Sequence, residues 1–165
     1  MNRREFIGRA AGAVAAMTAM TSDTGRARSV PSSDEINLGV IGVGSRGREV
    51  MRHFLRFPGV KIRGLCDIYE PRFAEARRVL REEVPTYRDY RKLLEARDLD
   101  AIIVATPLYL HAEHVIASLD SGRHVYGEKD MAMTVAECDQ IVAAVRRTGK
   151  KLQVGLQYHH APWYV

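Results

Sequence analysis

The chain has 165 residues, 46% of them hydrophobic and 27% charged, with a formal net charge of +5; this allows one globular domain with a tail. The charge is uneven: residues 1–28 hold five arginines (3, 4, 9, 26 and 28) against Glu5 and Asp23, leaving a net of only +2 for residues 29–165. No basic cluster with interleaved aromatics appears, which excludes a nucleic-acid footprint, and the two cysteines, Cys66 and Cys138, read as buried small hydrophobes and not as a disulfide or metal pair.

The N-terminus reads as a leader. A charged start (Asn2, Arg3, Arg4, Glu5) precedes an apolar run over residues 10–20, too short to span a bilayer but suited to a signal-peptide core. The arginine pair followed by Phe6 and Ile7 resembles a twin-arginine export signal. That resemblance implies a periplasmic or otherwise exported protein, with no stable membrane insertion once the leader is removed. Residues 1–28 are assigned to the signal and lead-in, and residues 21–35 to a flexible lead-in rich in Ser, Thr, Asp, Gly, Arg and Pro.

From Ile36 strands and helices alternate. The first strand covers residues 36–41 and the first helix 45–57. Strand two (60–66) leads to a helix over 71–83, opened by Pro71 and stopped by Pro85. A short strand at 86–87 and a short helix at 89–97 follow. The apolar run 100–106 (DAIIVAT) is typical of a strand covered on both faces. Next come a helix over 110–121 and a strand over 123–126. The helix over 134–148 carries Thr134 and Glu137 as a capping box and Gly149 as its stop, and a last strand covers 151–157. This alternation predicts an α/β fold with a doubly wound parallel sheet of Rossmann type, spanning residues 36–157.

The predicted chemistry lies at the strand ends. Glycines 42, 44 and 47 form G-x-G-x-x-G between the first strand and first helix, the context in which that motif binds a dinucleotide. Gly42 permits the turn, Gly44 lets backbone approach a pyrophosphate, and Gly47 lets the helix pack close. Ser45 and Arg46 complete the loop. Asp67, 20 residues past Gly47, is placed to accept hydrogen bonds from the adenosine ribose and to repel the 2′-phosphate of NADP. The expected cofactor is therefore NAD in preference to NADP; the plainer role for Asp67 is to cap the following turn. Thr106 and Pro107 can line the ribose and nicotinamide region, His111 either touches the cofactor or begins a helix, and His114 reads as a surface residue. Glu128 and Lys129 follow the next strand, where a lysine can orient a substrate hydroxyl or carbonyl, or shuttle a proton.

Taken together, GVIGVGSRG, CD, DAIIVATPLYLH, GRHVYGEKDMAMTVAECDQIV and KLQVGLQY resemble the Gfo/Idh/MocA family of glucose–fructose oxidoreductases and inositol dehydrogenases, over about residues 36–162. The resemblance implies an N-terminal NAD(P)-binding Rossmann domain. It gives the pyrophosphate role to Gly42, Gly44 and Gly47 and the ribose acid to Asp67. Thr106, Pro107 and His111 match the loop after the fourth strand, and Glu128 and Lys129 the motif whose lysine assists proton transfer beside the nicotinamide. Asp130 departs from the proline usual in that motif, placing a negative charge next to Lys129. Family members continue into a substrate domain, and residues 158–165, with His159 and His160, read as the start of a linker to it. The implied activity is hydride transfer with a sugar or cyclitol substrate in an exported enzyme, with a homo-oligomer possible. The rivals are an NAD-dependent glycoside hydrolase of the same family and a nucleotide-binding module without catalysis.

Overall fold

The computed structural model describes residues 35–156. The leader, the linker and the histidine pair at 159 and 160 lie outside the described residues. Six strands form one all-parallel sheet: β1 (Ile36–Ile41), β2 (Val60–Cys66), β3 (Thr86–Tyr87), β4 (Ala101–Val104), β5 (His124–Glu128) and β6 (Leu152–Gly155). The helices between them are α1 (Ser45–Phe54), α2 (Pro71–Leu80), α3 (Tyr90–Leu94), α4 (His111–Asp120) and α5 (Val135–Thr148), with a single 3₁₀ turn at Leu108–Leu110. The strand order is β3-β2-β1-β4-β5-β6. The chain winds outward from β1, then returns to lay β4 on its other side, so the order reverses between β1 and β4. In such sheets ligands bind outside the carboxyl ends of the strands at that reversal.

Strand periodicity divides the interior into two layers. Leu38, Val40, Ile62, Leu65 and Ile103 face one side and pack with Val50 and Met51 of α1 and Phe73 and Ala76 of α2. Ile41, Cys66, Ile102, Val104 and Val125 face the other and pack with Leu93 of α3, Val115 and Leu119 of α4, and Ile141 and Ala144 of α5. The apolar run of β4 is thus explained: neighbouring residues feed opposite cores.

Several element ends move from their expected positions. Helix α1 stops at Phe54, because Phe57 precedes Pro58, which disfavours helical backbone, and residues 55–57 close as tight turns. Helix α2 stops at Leu80, where Arg81 takes a left-handed conformation (φ 59°) and its N–H bonds the Arg77 carbonyl. Helix α3 is shorter at both ends, with Asp89 capping it by accepting from the Arg91 N–H at 2.9 Å. Strand β4 ends at Val104 instead of running to Thr106, although the Ala105 N–H still donates to the Ile41 carbonyl at 2.8 Å. Strand β5 runs further than expected, so Glu128 lies within it, opposite Gly155. Helix α5 carries its expected capping box and Gly149 stop (φ 66°). Cys66 is buried, and burial pushes its thiol up to about 12. Cys138 is only half-buried.

Candidate cofactor cleft

Gly42 turns the chain out of β1 with φ 91°, and a Cβ there would lie 2.5 Å from the Ala105 carbonyl oxygen. The loop crosses β4 too closely for any side chain. At Gly44 the surroundings open: the nearest heavy atom to an added Cβ is Arg72 Cζ at 3.9 Å. Helix α1 then starts with Gly44 as N-cap, no side-chain cap and no acid in its first turn. An uncapped helix start presents amide donors and the positive dipole end, which suits a phosphate.

Asp67 ends the neighbouring strand and is buried, at 6% exposure. Its Oδ2 accepts the Val43 N–H at 3.0 Å and its Oδ1 the Tyr69 N–H at 2.9 Å. Arg72 Nη1 lies 3.2 and 3.3 Å from the two oxygens. The carboxylate therefore fastens the glycine loop and caps the following turn while facing the cleft. A cation partly offsets its charge, a feature that spacing alone did not reveal. A cleft of about 320 Å³ opens beside it, lined by Gly44, Asp67, Arg72, Arg88, Thr106 and His114. Ile68 and Tyr109, both more than half exposed, give its wall apolar surface. Replacing Asp67 by Asn removes the negative charge and leaves Arg72 to meet a 2′-phosphate. The expected result is a rise of about tenfold in the NADP-to-NAD affinity ratio, equivalent to about 1.4 kcal/mol; an unchanged ratio in paired fluorescence titrations removes Asp67 from cofactor selection.

The opposite wall is the loop after β4. His114 is buried at 7% exposure, contrary to its reading as a surface residue, because α4 turns that face onto the sheet. Its Nδ1 lies 3.2 Å from Thr106 Oγ1, and the Tyr90 ring packs against it at 4.4 Å. The Tyr90 hydroxyl donates to Glu113 at 2.7 Å; burial, then that carboxylate, pushes it up to about 12. His111 is more enclosed still, at 2%, with Nδ1 2.7 Å from the Asp130 carbonyl oxygen and Nε2 2.9 Å from the Thr106 carbonyl oxygen.

Burial lowers the His114 pKa, with Glu113 opposing and His111 and Arg91 assisting. The folded state thus binds this proton more weakly than the unfolded chain. Its contribution is fully present above the ordinary histidine value of ~6.5 and is lost as pH falls from there through the lower folded value, by up to about 1.4 kcal/mol per pH unit. Urea midpoints between pH 7.5 and 5 should fall for the native sequence and fall less for His114→Gln. Equal slopes for the two proteins would refute this.

A second cleft of about 320 Å³ adjoins Thr106 and is lined by Arg46, Leu108, His111, Glu128 and Lys129. Glu128 is 5% exposed. It accepts from Arg46 Nη2 at 2.9 Å, the Tyr126 hydroxyl at 3.3 Å and the Lys129 N–H at 3.3 Å. The Glu128 hydrogen bond is the largest influence holding the Arg46 guanidinium above its ordinary range. Burial, then Glu128, pushes Tyr126 up as well. Arg46 lines both clefts and ties the start of the glycine-loop helix to Glu128, the last residue of β5, next to Lys129.

The family model for the Gfo/Idh/MocA oxidoreductase family, NAD-binding Rossmann fold, matches residues 36–156. The chain belongs to the Gfo/Idh/MocA family. A glycosyl hydrolase family 109 protein of Shewanella pealeana is 36% identical over 129 residues, covering 73% of this chain and 28% of that protein. The alpha-N-acetylgalactosaminidase of Shewanella oneidensis is 33% identical, covering 91% of this chain and 38% of the enzyme. The chain thus spans roughly a quarter to two-fifths of the curated relatives it matches. The crystal structure of GenD2 from gentamicin A biosynthesis in complex with NAD superposes with TM-score 0.74 at 22% identity, covering 83% of this chain and 39% of that one.

As a Gfo/Idh/MocA domain, the chain binds NAD, and the glycine cradle with its uncapped helix start fits the pyrophosphate of that cofactor. The structure brings Gly42, Gly44, Ser45, Arg46, Asp67, Thr106 and Pro107 around one cleft, and Glu128, Lys129 and His111 around the adjoining one. Gly47 sits behind the first, pressed against the loop backbone. Arg72, Arg88 and His114 join the first wall without having been picked from sequence. The signal for Arg72 was its position in the first turn of the helix after the acid. Among the described residues no group of three or more His, Cys, Asp or Glu could hold a metal, and no helix is long and apolar enough to cross a membrane.

Proposed function

We propose that this domain holds NAD(H) for an exported enzyme that passes a hydride between the nicotinamide C4 and a carbinol carbon of a sugar or cyclitol. The observation that carries the reading is the placement of Lys129 just past the carboxyl end of β5, in a cleft that shares Arg46 and Thr106 with the one faced by the glycine loop. When bound, the cofactor supplies the hydride acceptor. Lys129 takes the proton from the substrate hydroxyl as that hydride leaves. Arg46 and Glu128 keep the lysine's backbone in register with the phosphate-binding helix. The basic N-terminus with its short apolar run supports export. A protein that works where free NAD is scarce must keep its nucleotide tightly bound.

The names of the curated relatives favour a second reading, in which transient oxidation of the sugar assists glycosidic cleavage and the hydride returns at the end of the cycle. The test uses protein purified from its native cells. Denaturation should release nucleotide, and its absence defeats the whole proposal. Net NADH formation on a free sugar supports the dehydrogenase. Nitrophenol release from a nitrophenyl α-N-acetylgalactosaminide with no net NADH supports the hydrolase. Nucleotide binding with neither reaction leaves a module without catalysis.

A further inference from the structure

Two loops form the cleft that contains Lys129, one after β4 and one after β5. The ring of His111 lies between them, its Nδ1 2.7 Å from the Asp130 carbonyl oxygen and its Nε2 2.9 Å from the Thr106 carbonyl oxygen. Both partners are carbonyl oxygens, which only accept. A neutral imidazole carries one N–H and makes one of these bonds; both form together only when the ring carries both protons. Asp130 directly follows Lys129, so the Nδ1 bond holds the Asp130–Met131 peptide, one residue beyond the lysine. Thr106 is also held through its hydroxyl by His114, one turn along α4. The two histidines therefore grip the β4 loop at two atoms, and His111 alone reaches across to the β5 loop.

We propose that His111 is a positioning residue. As a doubly donating imidazolium it clasps the Thr106 and Asp130 carbonyls and sets where Lys129 stands; with one proton it holds only one loop. The charged and titratable groups around it are Arg46, Glu128 and Lys129, which line the same cleft, together with His114 on its own helix and Asp130, whose carbonyl it binds. The consequence for turnover rests on the proposed role of Lys129, while the clasp itself does not.

The test is nuclear magnetic resonance of the full chain, ¹⁵N-labelled, with the His111 ring assigned by comparison with His111→Gln. Long-range ring spectra from pH 5 to 9 should show two protonated nitrogens over some or all of that range. Where the ring loses a proton, the Lys129, Asp130 and Met131 amide signals should shift with the same midpoint, and that shared titration should vanish in His111→Gln. A ring with one bare nitrogen at every pH overturns the proposal, and so do loop amides that ignore the ring's titration. The wild-type ring spectrum decides the matter even if the variant folds poorly. A separate NAD titration of the same sample keeps the outcomes distinct: failure to bind NAD overturns the cofactor reading and leaves the clasp standing, whereas normal binding with a singly protonated ring does the reverse.

Discussion

Gly47→Ala is expected to abolish NAD binding and to destabilise the domain. An added Cβ at this position would be driven into the Gly42 carbonyl oxygen. Backbone cannot rotate away as a side chain can, so α1 must shift off the loop. Overpacking of this kind costs about 1–3 kcal/mol or more, and the same shift withdraws the helix amides from the phosphate. A loss of at least about 100-fold in affinity, or about 2.7 kcal/mol, is the expected scale, with a lowered Tm. Gly44→Ala is the control. Its φ of −61° suits alanine, and the added methyl would meet only Arg72 Cζ at 3.9 Å. It should fold with unchanged Tm while obstructing the pyrophosphate. Tight binding by Gly47→Ala would mean that the phosphate sits elsewhere.

Lys129→Met should cut turnover of the native enzyme by about 10²–10⁴-fold, the range for loss of a general acid–base group, while NAD affinity stays within about threefold. Lys129→Arg should not rescue it, because a guanidinium does not release its proton at working pH. Single-turnover hydride transfer, followed by nicotinamide absorbance, separates these effects. A loss smaller than tenfold would leave Lys129 as a substrate-holding group. Rescue by arginine would point the same way, since a fixed charge would then suffice.

Much of the fold was legible because local and global signals agree. The capping box at Thr134 and Glu137 and the stop at Gly149 mark the ends of α5 in sequence and in structure alike. The apolar run through residues 101–104 announces a strand between two layers. Glycines 42, 44 and 47 mark the loop because their spacing between a strand and a helix is a local signal; in the structure Gly42 and Gly47 leave no room for a Cβ, while Gly44 faces open space. What escaped depends on long-range packing. His114 follows His111 at i+3, and nothing local tells which helix face α4 presents to the sheet. The pairing of Arg72 with Asp67 needs the crossing of two elements, and so does that of Arg46 with Glu128. The shift of Glu128 into β5 arises because β6 supplies a partner, Gly155, whose lack of a side chain leaves room for Glu128 and the Tyr126 hydroxyl.

The division of the interior by the sheet has a mechanical consequence. One wall of the candidate cleft belongs to the α1–α2 layer and the other to the α4 side, and among the described residues the two layers form separate packed clusters. Substitutions in opposite cores should therefore add in free energy. The sheet is a common floor beneath both walls, so a substitution in one core is expected to change the grip on cofactor chiefly through the wall on its own side.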